Sequence, residues 1–137
     1  MEGRKFIAQA RRLLGTKLEE DWRTAASRAY YGLLLECRDA LYRWGFRFPK
    51  VEVHRAVRLR FDSRTLADIQ QIAWVLDTLS QLRSKADYDL TSSRFASDIL
   101  AVKAVRSAED SIIHFDTLEA DPVRRAAAIA DIKSRWP

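Results

Sequence analysis

The sequence predicts an all-α fold, an antiparallel bundle of four to five helices, and three observations predict it. Apolar residues recur at three- and four-residue steps over long stretches, the period of a helix buried on one side. Glycine and proline occur 4 and 3 times in 137 residues, too rarely for the tight turns a sheet needs. No stretch alternates apolar and polar residues as a half-buried strand does.

The elements follow in order. Phe6, Ile7, Ala10, Leu13 and Leu14 define a first helix over 3–14, ended by Gly15-Thr16. Trp22, Ala26, Ala29, Leu33, Cys37, Ala40 and Trp44 trace one stripe along a second helix from Leu18 to Trp44. Acidic residues 19–21 in its first turn and Arg43 near its last suit the helix dipole, and Gly45 stops it. Pro49 is expected to open a short helical segment over 50–61. Ser63 is a candidate cap for a third long helix over 64–89, striped by Leu66, Ile69, Ala73, Leu76, Leu79, Leu82 and Ala86. Thr91-Ser92-Ser93 breaks the chain and caps a helix over 94–119. Asp121-Pro122 pairs a cap with a proline at the first helical position and opens a final helix over 122–135. With no repeat and no Gly- or Ser-rich linker, residues 1–137 form one domain.

Composition narrows the function classes. An apolar content of 47% and a charged content of 31% are those of a globular protein. The first residues are charged and then amphipathic, without a secretory core, and no run approaches the roughly 18–20 apolar residues of a membrane span. The expected location is cytoplasmic, with no membrane contact. Cys37 is the single cysteine, which excludes an internal disulfide and a cysteine-based zinc cluster; at helical spacing among apolar neighbours it reads as a core residue. The net charge of +5 permits an acidic partner without requiring one. No Gly-rich phosphate loop or Ser-His-Asp series is present, and no cofactor is expected.

Two stretches carry unusual chemistry. In Ser27-Arg28-Ala29-Tyr30-Tyr31-Gly32, a glycine inside a helix costs about 1 kcal/mol relative to alanine, which suggests close helix packing at Gly32 and a specific use for Arg28 and the tyrosine hydroxyls. The alternative is that the tyrosines are amphipathic core residues and Arg28 snorkels to water. In Leu82-Arg83-Ser84-Lys85-Ala86-Asp87-Tyr88-Asp89, Arg83 and Asp87 share a helix face. They form either an ordinary intrahelical pair or part of a polar cluster between helices, in which Arg83 offers its planar fork to a phosphate or carboxylate.

Taken together, the two stretches resemble the HEPN family of small helical-bundle proteins. The likeness rests on Ser27-Arg28-Ala29-Tyr30-Tyr31, on Val53-His54-Arg55-Ala56-Val57 with Phe61 behind it, and on Arg83-Ser84-Lys85-Ala86-Asp87-Tyr88. It spans roughly residues 5–118 and looks like the branch with Arg-x-x-Ala-Asp-Tyr at the end of the third long helix. The resemblance implies a homodimer, with the polar residues of the second and third long helices near the subunit interface. It also implies RNase activity in many members, and in some a nucleotidyltransferase partner. Nuclease members carry a His four to six residues after the Arg. Here Asp87, Tyr88 and Asp89 fill that window. Asp and Tyr titrate far from neutrality, whereas base and acid in metal-independent RNA cleavage work best near pH 7.

The expected function is therefore a binding or regulatory module for RNA, a nucleotide or a nucleotidyltransferase-type partner, acting through a cleft of Arg28, Tyr31, Arg83, Asp87 and Tyr88. Arg28 and Arg83 would hold phosphate. The alternatives are a metal-independent endoribonuclease, with Arg83, Asp87, Tyr88 or His54 as catalytic candidates, and a purely structural interaction module. His54 would serve if its segment folds back toward Arg83; otherwise it is a surface or capping residue. His114, among Ile112, Ile113 and Phe115, reads as structural, and two distant histidines predict no metal site. Finally, Arg43, Arg47, Lys50, Arg55 and Arg58, interleaved with Trp44, Phe46 and Phe48, offer either charge and rings for single-stranded nucleic acid or an aromatic seal with solvated arginines.

Overall fold

The structure is a computed structural model that describes residues 1–137. It contains six helices and no strand: α1 (Arg4–Leu13), α2 (Glu19–Arg43), α3 (Val53–Phe61), α4 (Ala67–Tyr88), α5 (Ile99–Ala120) and α6 (Pro122–Arg135). Short 3-10 turns follow α1 (Leu14–Thr16) and precede α5 (Ser93–Phe95). The six helices correspond to the six helical segments read along the sequence, with α3 and α6 packed together beside a four-helix core. No helix is long and apolar enough to cross a membrane.

α2 is the central element and touches α1, α4 and α5. Its stripe is buried as its periodicity requires: Ala26, Ala29, Leu33, Cys37 and Ala40 have no exposed surface. Contacts set the directions. Arg4 meets Glu36 while Phe6 meets Arg28, so α1 and α2 are antiparallel. Tyr31 meets Arg83 while Ser27 meets Asp87, so α2 and α4 are antiparallel as well. The α1–α2 crossing is unusually close. A Cβ on Gly32 would lie 2.4 Å from Ile7 Cγ1 and 2.9 Å from the Gly3 carbonyl, which explains a glycine in mid-helix.

Three element boundaries differ from the sequence expectation. α3 opens after Glu52, whose φ of 63° is left-handed, and not at Pro49. The Ser63 hydroxyl accepts the Thr65 and Leu66 N–H groups and so closes the turn ahead of α4, which starts at Ala67. The stretch expected to open the helix over 94–119 is a single 3-10 turn capped by Ser92, which accepts from the Arg94 N–H and delivers Phe95 into the core. The final helix matches: Asp121 accepts the Val123 and Arg124 N–H groups, and Pro122 fills the first position.

Candidate functional site

The C-terminal half of α4 presents Arg83 and Asp87 to α2, one turn apart on the same face. Arg83 Nη2 donates a 2.7 Å hydrogen bond to the Tyr31 hydroxyl. Its guanidinium carbon lies 5.3, 5.5 and 5.9 Å from the ring centres of Tyr31, Tyr88 and Tyr30, close enough for cation–π attraction. Asp87 Oδ2 is 3.5 Å from Arg83 Nε and accepts a 3.1 Å bond from Ser27 Oγ. The Nε–carboxylate separation exceeds ordinary hydrogen-bond length, so the buried Nε–H has no well-formed acceptor. Tyr88 itself is largely exposed.

α3 supplies the third wall. His54, in its first turn, stands edge-on to Tyr31 with ring centres 5.4 Å apart, and its Nδ1 is 3.1 Å from the Tyr30 hydroxyl. The segment after α2 has therefore folded back toward Arg83, and Tyr31 lies in contact with both residues. Burial, reinforced by the positive charges of Arg83 and Arg58, pushes the His54 imidazole below its ordinary pKa. Burial pushes the Tyr30 hydroxyl up, against the Ser80 hydroxyl and the same two arginines. Near pH 7 the imidazole is thus neutral and the phenol protonated. The Tyr30 hydroxyl and His54 Nδ1 share one hydrogen bond.

One buried cation that the sequence reading missed holds this region in place. Arg23 is 8% exposed and folds its guanidinium over the end of α4. Nη1 donates to the carbonyls of Lys85, Ala86 and Asp89, and Nη2 to those of Leu90 and Ser92. Nε pairs with Glu19, and Phe95 packs 5.1 Å beneath the fork. The last carbonyls of a helix lack intrahelical donors and carry the negative end of its dipole, so one fork neutralises and anchors the whole terminus. The signal was positional: Arg23 sits three residues before Ala26 and seven before Tyr30, on the buried stripe. Arg135 does the same for α3, donating to the carbonyls of Leu59, Arg60 and Asp62.

Not every expected residue joins the cluster. Arg28 lies on the other flank of α2, its guanidinium 4.8 Å over the Phe6 ring of α1, and makes no ion pair. The paired-arginine phosphate clamp is corrected accordingly: Ser27, one residue earlier, faces α4, and the helical step turns Arg28 toward α1. Tyr31, Arg83, Asp87 and Tyr88 do converge, and Ser27, Tyr30 and His54 join them.

The basic stretch also divides. Arg43 pairs with Glu119, Arg58 with Asp77, and Arg47 donates to the Tyr42 and Phe46 carbonyls, whereas Lys50 and Arg55 are exposed without a side-chain partner. Its rings are not free for bases. Trp44 is buried and stacked on Phe115, Phe46 is buried, and Phe48 stacks on Tyr42. The aromatic-seal alternative describes these three. A groove of about 650 Å³ between α3 and α4 begins at His54 and is lined by Arg55, Arg58 and Leu59.

His114 Nε2 lies 3.0 Å from the Asp68 carbonyl, and Arg124 holds the Asp68 carboxyl below its usual range. The Cys37 thiol is fully buried and pushed up by that burial. No three His, Cys, Asp or Glu side chains gather closely enough to hold a metal ion.

Fold and site together define an all-α bundle with a tyrosine-lined arginine at the crossing of its second and fourth helices. No family model matches the chain, and no curated protein or solved structure is significantly similar to it.

Proposed function

We propose that this chain is an HEPN-like binding module that takes a phosphate-bearing ligand, RNA or a nucleotide, at Arg83, Tyr31, Tyr88, Asp87 and His54. The observation that carries the reading is the pre-set guanidinium. Arg83 is oriented by the Tyr31 hydroxyl and by Asp87, and stacked among tyrosine rings, so little rotamer freedom is left to lose on binding. The exposed Tyr88 ring offers a base a stacking face next to that charge. The groove leading from His54 past the free Arg55 gives a strand a path onward. Fluorescence anisotropy with a labelled single-stranded RNA tests this. Affinity is expected to fall with salt. Arg83→Ala is expected to weaken it by about tenfold or more, the worth of a charge-assisted hydrogen bond, without lowering the thermal midpoint enough to unfold the protein. Equal affinity for wild type and variant refutes the reading.

A second reading, a metal-independent endoribonuclease, draws support from His54. An imidazole that is neutral near pH 7 suits it to take a proton from a 2′-hydroxyl, with Arg83 stabilising charge on the phosphate. RNA cleavage that persists in EDTA and is lost in both His54→Ala and Arg83→Ala would select this reading over simple binding. A homodimer or a nucleotidyltransferase-type partner belongs to the same proposal. The exposed Tyr88 and Leu90 at the edge of the cluster support a protein contact there, and sedimentation of the isolated chain tests self-association.

A further inference from the structure

A second groove, of about 400 Å³, runs between α4 and α5, away from the arginine–tyrosine cluster. Its floor is aliphatic, built by Leu79 and Leu82 of α4 and by Leu100 and Ala104 of α5. Its rim is cationic. Arg94, Lys103 and Arg106 line it, and none makes an ion pair or a side-chain hydrogen bond, although Arg4, Arg11, Arg43, Arg58, Arg124 and Arg135 each meet a carboxylate. Asp110 is the single acid among the lining residues, so the groove carries a positive excess. Trp74, 69% exposed, closes one end. On α5, the exposed Ile99 and Ile113 fall seven residues either side of Arg106 and so share its face.

We propose that the α4–α5 groove is the docking site for an acidic amphipathic helix of a partner protein. Two antiparallel helices of 22 residues each offer an open channel into which a third helix packs by ridges and grooves. The incoming apolar stripe covers Leu82, Leu100 and Trp74, and Glu or Asp on its flanks reach Arg94, Lys103 and Arg106. Charge excludes the simplest alternative occupant: a two-fold contact with a second copy sets the same positive rim against itself. The aliphatic floor, with one ring at its end, also offers a nucleic acid little to stack on.

The test uses the full chain and two labelled synthetic peptides. One is a helix with leucines at helical spacing flanked by glutamates; its twin has lysines in place of the glutamates. The acidic peptide is expected to bind about tenfold or more tightly than the twin, less so as salt rises, and to shift amide resonances along α4 and α5. Arg94→Glu/Lys103→Glu/Arg106→Glu, all at exposed positions, is expected to reverse the preference while keeping the helical circular dichroism. Equal binding of the two peptides, no binding of the acidic one, or a preference unmoved by the triple variant overturns the proposal. A single-stranded RNA that binds the wild type and is lost in the triple variant assigns the groove to nucleic acid and overturns it too.

Discussion

Arg83 and Tyr31, 52 residues apart in sequence, are joined by a 2.7 Å hydrogen bond from the guanidinium to the phenol. The pair locks the crossing of α2 and α4 and sets the direction in which Arg83 points. Tyr31→Phe keeps the ring and removes that acceptor. Stability should fall by about 1 kcal/mol, the usual worth of one such bond. RNA affinity should fall severalfold as Arg83 regains rotamers. Urea unfolding and anisotropy on one preparation separate the two effects, and unchanged affinity would mean that the bond does not orient the charge.

Arg23 anchors five carbonyls at the end of the Arg83-bearing helix. Arg23→Ala leaves buried acceptors unpaired, at a cost of about 3 kcal/mol. Arg23→Lys should rescue little, because an ammonium lacks the fork that reaches several carbonyls at once. Denaturant midpoints give the size of the loss. Hydrogen exchange should speed selectively over residues 85–92, and uniform exchange across the chain would contradict the anchoring role.

Gly32 and Gly15 make a paired test of helix packing. Gly32→Ala drives a methyl into Ile7 and the Gly3 carbonyl and should cost about 1–3 kcal/mol. Gly15→Ala meets open space and should be near neutral or slightly stabilising. Thermal midpoints of the two variants read the difference directly.

His54 supplies a pH prediction. Burial first, and then Arg83 and Arg58, lower its folded-state pKa from the ordinary 6.5. The folded protein therefore binds fewer protons at this site than the unfolded chain. Its contribution to stability is complete above pH 6.5 and is lost as pH falls through the folded-state value. An NMR titration of the imidazole should give a midpoint below 6.5, and Arg83→Ala should raise it part of the way back, since burial remains. A midpoint at or above 6.5 in the wild type would show that neither cause acts.

These residues also show what a sequence discloses. The all-α class and the long buried stripe of α2 were legible, because periodicity reports burial directly, and Asp121-Pro122 announced α6 by local capping chemistry. The shared face of Arg83 and Asp87 followed from their spacing, whereas their meeting with Tyr31 was expected from the family resemblance. Arg28 misled because composition makes it a partner for Arg83, while the helical step decides which neighbour it meets; that neighbour is Phe6. Arg23 drew no notice in the sequence, although its place on the apolar stripe marked it as buried. The position of His54 depended on a left-handed residue, Glu52, that no pattern flagged. The cationic groove had no sequence signature, since Arg94, Lys103 and Arg106 gain meaning only when α4 lies beside α5.

If Arg83 itself grips phosphate, its own Nε–H reports the contact. That proton is buried without an acceptor, so its resonance should be observable and distinct. Titration with a single-stranded RNA should move the Arg83 Nε–H signal saturably, with the same midpoint as anisotropy. A signal that stays fixed while RNA binds would show that Arg83 does not hold the phosphate.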